Sequence, residues 1–113
     1  MADDSQTTSN GGGSNDRVPK FSGKAEEFPE WSFVAEQWFK RHAGIRPALD
    51  EATSRLTTIV FSELSETNQD YAQKLATDLA MTCIGPARRF LMNCKERSNG
   101  FEMWRLMCRQ YKG

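Results

Sequence analysis

The chain contains no long apolar run. Nothing approaches the ~18 consecutive apolar residues of a membrane-spanning helix, and the N-terminus lacks the basic-then-apolar pattern of a secretory signal. Cysteine is scarce: Cys83, Cys94 and Cys108 are odd in number and widely spaced, with no C-x-x-C. That pattern argues against a disulfide framework or a zinc site, and reads as small core residues in a reducing compartment. A cytoplasmic location is the resulting expectation, with no membrane contact. Histidine occurs once, as His42 beside Arg41 at a predicted helix end. With no serine or cysteine nucleophile in a recognisable setting, it reads as a surface or capping residue. The glycine run Gly11–Gly13 has no strand before it and no helix after it, so it is not a phosphate loop. Glu26-Glu27 and Asp50-Glu51 are adjacent pairs that diverge on a helix and read as solvated faces. Nothing here points to an enzyme, a metal, a cofactor or a small-molecule substrate.

What the chain does have is aromatic volume, in three Trp, seven Phe and two Tyr. The stretch SNGFEMWRLMCRQY concentrates it. Asn99-Gly100 is a turn signal. Phe101, Trp104, Cys108 and Tyr111 then follow at i, i+3, i+7 and i+10, on one face of a helix. Met103, Leu106 and Met107 widen that face. Glu102, Arg105, Arg109 and Lys112 share the same spacing and read as a mostly basic stripe opposite.

The rest of the chain is arranged to cover that face. Residues 1–17 are Ser, Thr, Asn, Gly and Asp with little to bury, and read as a disordered tail. Residues 18–113 read as one domain. Val18-Pro19 is extended, and Ser22-Gly23 turns the chain. Phe28, Trp31, Ala35 and Trp38 repeat the aromatic spacing and predict a helix over 29–41, with Gly44 just past its end. Ile45, Leu49, Ala52, Leu56, Ile59, Val60 and Leu64 predict a second helix opened by Pro47. Its β-branched patch LTTIVF would suit a strand, but no second strand is present to pair with it. Thr67 or Asn68 is a candidate N-cap for a third helix reaching about Cys83. Pro86 starts a fourth, with Phe90 and Leu91 buried. The sum is an all-α chain of about five helices in an orthogonal bundle, with Phe28, Trp31, Trp38, Trp104 and Tyr111 as core anchors.

Lys plus Arg equals Asp plus Glu at 15 each, so the formal net charge is zero. The charge is unevenly placed. Arg88, Arg89, Lys95, Arg97, Arg105, Arg109 and Lys112 outnumber Glu96 and Glu102 in the last quarter, which leaves the remainder acidic. Such polarity suits head-to-tail association or nucleic-acid contact. The candidates for phosphate contact are Arg88, Arg89, Arg105, Arg109 and Lys112. The aromatics sit at core spacing, which favours packing over base stacking.

Two segments resemble the Gag capsid region of LTR retrotransposons. VPKFSGKAEEFPEWSFVAEQWF is similar to its opening, a P-x-F-x-G segment followed by an F-x-x-W helix, on Pro19, Phe21, Gly23, Phe28 and Trp31. GPARRFLMNCKERSNGFEMWRLMCRQY is similar to its G-x-A helix, polar link and G-x-E-x-W-R-x-L-x-x-x-Y helix. The matching residues are Gly85, Ala87, Gly100, Glu102, Trp104, Arg105 and Tyr111, with Met107 in the leucine register. The resemblance implies an N-terminal capsid-like lobe of a copia-type, gypsy-type or domesticated Gag. It implies a non-catalytic structural role, homo-oligomerisation into a shell around element RNA, within a longer polyprotein. The sequence carries no zinc knuckle of the form C-x2-C-x4-H-x4-C, so any RNA contact made by this stretch is expected to be weak.

Overall fold

Three of the four prolines start helices. Pro29, Pro47 and Pro86 each sit in a first turn, where a missing N–H costs nothing. In this computed structural model, which describes residues 18–112, five helices follow one another: α1 (Phe28–Phe39), α2 (Arg46–Ser54), α3 (Glu66–Thr82), α4 (Gly85–Met92) and α5 (Gly100–Lys112). Short 3-10 turns precede α1 at Ala25–Glu27 and α3 at Phe61–Glu63. The chain is all-α. The expected tail, residues 1–17, lies outside the described residues.

α5 is the central element. It packs chiefly against α3 and α2, and also touches α1 and the turn before it. Gly100, Phe101, Met103, Trp104, Arg105, Met107 and Cys108 are all buried. The approach to α3 is close enough to require glycine at position 100. A Cβ there would lie 2.4 Å from the Ala76 nitrogen and 2.6 Å from the Ala72 oxygen. Around α5 the aromatics form one cluster. Phe21 stacks on Trp31 at 4.9 Å between centroids and meets Tyr111 edge-on at 4.9 Å. Phe28 contacts Trp31, Trp104 and Tyr111, and Phe39 meets Trp104 edge-on at 5.4 Å. Both buried indoles find acceptors: Trp31 Nε1 donates to the Pro19 carbonyl at 2.8 Å and Trp104 Nε1 to Thr53 Oγ1 at 3.0 Å. Each fully buried large side chain stabilises by about 1.5–3 kcal/mol.

The N-terminal extended segment is held by a single parallel bridge between Phe21 and Cys83. Phe21 N donates to Thr82 O and Ile84 N to Phe21 O, both at 2.9 Å. Gly44 does not close α1, which ends at Phe39 with Lys40 as its C-cap; it takes φ +92° in the turn directly before α2, and the Tyr71 hydroxyl donates to the adjoining Ala43 carbonyl. The N-cap of α3 is Ser65 rather than Thr67 or Asn68, with Ser65 Oγ accepting from Asn68 N at 3.1 Å.

Further expectations are corrected. The second helix does not run to Leu64. It ends at Ser54, and the next residues run extended, with Leu56 79% exposed and Ile59 buried. β-branched residues at 57–60 favour that conformation, and α5 together with Asn99 just before it supplies the partners that a sheet would otherwise give. Ile59 N donates to Glu102 Oε1 at 2.8 Å, and Asn99 Nδ2 donates to Ile59 O at 2.9 Å. Tyr111, expected as a core anchor, is only half-buried against the core, and Trp38, expected as another, lies at the rim. Trp38 is only partly buried, sits beside Phe39, and carries the Arg41 guanidinium 3.8 Å above its ring. Its Nε1 is buried without a hydrogen-bond partner.

Candidate functional site

The basic residues expected to act together are divided by the fold. Arg105 is buried and turned inward, not part of a basic stripe. Its Nε and Nη2 donate to the two oxygens of Glu102, each at 2.7 Å, and its Nη1 reaches the Leu56 carbonyl at 3.2 Å. Burial by itself would raise the Glu102 carboxyl. The Arg105 and Ile59 hydrogen bonds, with the charges of Arg105 and Arg55, outweigh it and hold the carboxyl below its usual range. The hydrogen bond to Glu102 raises Arg105 in turn. This pair clamps the extended segment onto α5, and burial takes the Arg105 guanidinium away from the surface where a phosphate could reach it.

Arg88, Arg89, Arg109 and Lys112 are exposed, as are Lys95 and Arg97. None of them is ion-paired among the described residues. Arg88 Nε is anchored on the Cys83 carbonyl at 2.9 Å, and Arg97 Nη2 on the Met92 carbonyl at 3.0 Å. Both line a groove of about 220 Å³ between α3, α4 and α5. Its floor is Ala76, Ala80, Leu91 and Met103, and Met92 stands at its edge, 51% exposed.

A second surface has the opposite character. Glu26, Glu27 and Glu30, at the start of α1, rim a cleft of about 300 Å³ floored by Trp31 and Val34. They too form no ion pair among the described residues, and Lys20, across the cleft, is engaged with the Met81 carbonyl at 2.8 Å. Phe33 lies one turn beyond Glu30 and is 67% exposed. Phe33 falls outside the stripe of Phe28, Trp31, Ala35 and Trp38, and an aromatic out of register on an amphipathic helix is the signal that could have identified it from sequence. Arg97 gave no such signal inside a polar link.

His42 is not a free surface residue. Its Nε2 lies 3.0 Å from Asp78 Oδ2, and the same buried carboxylate receives Arg41 Nη1 and Nη2 at 3.1 and 3.2 Å. This arrangement ties the end of α1 to α3. Neither a serine hydroxyl nor a cysteine thiol shares a hydrogen bond with His42 among the described residues.

No protein family, curated protein or solved structure matches this chain. The surfaces are then the guide to function.

Cys83 and Cys108 lie in the core as expected, whereas Cys94 is half-buried against it. Burial pushes Cys83 up to about 12 and Cys108 to about 11, and raises Cys94 as well. Thiols held protonated in this way are poor nucleophiles and poor metal ligands. No group of three or more His, Cys, Asp or Glu side chains among the described residues is placed to hold a metal ion. No helix among them is long and apolar enough to cross a membrane. The geometry offers apolar ledges edged by uncompensated charge, one basic and one acidic.

Proposed function

We propose that this chain is a non-catalytic structural module that associates with copies of itself, as a capsid-like lobe of a retrotransposon Gag polyprotein. One observation carries the reading. Phe33, 67% exposed, stands one turn beyond Glu30 on α1, and Met92, 51% exposed, edges an apolar groove floored by Ala76, Leu91 and Met103; exposed apolar surface gathered in this way favours association. The motif residues that resemble Gag support it. Phe21, Phe28, Trp31, Trp104 and Tyr111 lie apart in sequence yet share one aromatic cluster. Within this reading the module works in the cytoplasm and needs no cofactor.

The test is light scattering on a size-exclusion column over a concentration series at low and high salt. Reversible growth from monomer to larger species is the expected result. A strict monomer up to millimolar concentration overturns the reading.

A second reading rests on a different observation. Arg88, Arg89, Lys95, Arg97, Arg109 and Lys112 are exposed and unpaired among the described residues, which suits weak, sequence-independent contact with RNA phosphates. RNA binding that weakens steeply with salt, and is lost in Arg88→Glu with Arg89→Glu, would place phosphate contact on α4.

A further inference from the structure

We infer that self-association is head-to-tail. The α1 ridge of one copy, Phe33 with Glu30 and Glu26, seats in the α3–α4–α5 groove of the next, between Arg88 and Arg97. This rests on the proposal that the chain assembles with itself, and it names the two surfaces that meet.

Size, polarity and charge each support the pairing. An apolar cavity of about 150 Å³ takes a benzene ring, and the groove offers about 220 Å³ over a floor of alanine, leucine and methionine. Phe33 is the most exposed aromatic among the described residues, at 67%. It stands on a helix, which presents it rigidly and with little further entropy to lose. Met92, at the groove edge, is unbranched and can adjust to a ring. Glu30 precedes Phe33 by three residues on the same side of α1, and Glu26 stands in the 3-10 turn just before the helix, on the rim of the same cleft as Glu30. The groove answers with Arg88 and Arg97. Each already has one nitrogen fixed on a backbone carbonyl, and the rest of its guanidinium is without a carboxylate partner among the described residues. Arginines held in this way lose less freedom on pairing with a carboxylate and can take it with two donors. The ridge and the groove are different patches, so one copy offers a free groove when its ridge is used. Such heterologous contact builds a ring where the rotation closes and a filament where it does not.

Charge reversal tests the pairing from both sides. One variant carries Arg88→Glu and Arg97→Glu, and the other Glu26→Lys and Glu30→Lys. All four positions are exposed, so unchanged circular dichroism and melting temperature are the folding control. Each variant alone sets like charges against each other and is expected to remain monomeric by sedimentation velocity. Mixed one to one, acidic groove meets lysine ridge and arginine groove meets glutamate ridge, so association returns. Phe33→Ala in the natural background is expected to weaken association on the order of thirtyfold, as loss of a central anchor does. Wild-type association that survives Phe33→Ala and both reversals overturns this pairing and leaves self-assembly standing through another surface. Reversals that abolish RNA binding with no effect on association overturn it also, and assign the groove rim to phosphate. Failure of the wild type to associate at all overturns both this pairing and the assembly reading.

Discussion

Replacing Glu102 with alanine tests whether the clamp on α5 holds the extended segment in place. The Glu102 side chain is 15% exposed and that of Arg105 7%, so water offers little compensation when the partner goes. Removing the carboxylate leaves the Arg105 charge buried without its counter-ion, a loss of about 3–5 kcal/mol in comparable sites. It also strips Ile59 N–H of its acceptor, about 1–3 kcal/mol if that group stays buried. The two losses share one relaxation, because the extended segment can peel into water and rescue both. The expected total is therefore about 3–5 kcal/mol. Glu102→Gln keeps an acceptor for Ile59 and should cost visibly less. The double variant Glu102→Leu with Arg105→Met removes both charges and should be more stable than Glu102→Ala alone, with a coupling on the order of 2 kcal/mol or more. Urea unfolding at pH 7, followed by helical circular dichroism, measures all of these at constant slope. A cost below ~1 kcal/mol for Glu102→Ala, the value of an exposed ion pair, would refute the clamp.

Four more outcomes follow from the same contacts. Gly100→Ala forces a Cβ onto the backbone of α3 and should lower the melting temperature by about 10 °C or more in thermal unfolding; an unchanged melt would mean that α5 does not approach α3 so closely. Trp104→Ala should cost about 3–5 kcal/mol, whereas Trp38→Phe, which removes an unpartnered buried N–H, should stay within about 1 kcal/mol of the natural chain by denaturant titration. Glu102 titrates below its ordinary value when folded, so its contribution is present above about pH 4.3 and lost as pH falls through the lowered value; an acid titration of Glu102→Gln should be flatter than that of the natural chain over this window. Cys83 and Cys108 stay protonated when folded while the unfolded thiols ionise, so stability should fall as pH rises from about 8.5 toward about 11 and 12, and a thiol reagent at pH 8 should label Cys94 first.

The helical architecture was legible wherever a local signal decided it. Pro29, Pro47 and Pro86 in first turns, and the aromatic spacing of Phe28, Trp31 and Trp104, all act within a turn or two of chain. The errors share one cause. Residues 55–60 were read as helix because no strand was available to pair with them. The partners are instead side chains of Asn99, Glu102 and Arg105, some forty residues away. Arg105 was assigned to a solvent stripe because spacing shows one apolar face. α5 is covered by α2, α3 and the extended segment together, so its buried arc exceeds any such stripe. His42 was read as a surface or capping residue with no partner named, since its partner Asp78 belongs to α3. The groove is built by three helices and left no trace in any single one of them. Its residues were read separately, Leu91 and Met103 as core and Arg88 for phosphate contact.

Phe21 touches Tyr111 across almost the whole described chain. A polypeptide leaving the ribosome cannot close this cluster until its last helix has emerged. Until then the apolar sides of α1, α2 and α3, which α5 would cover, remain open. A copy interrupted before Gly100 would present the surfaces that chaperones and proteases recognise. Chains that stop short of Tyr111 leave Phe21 and Phe28 without one of the rings that cover them.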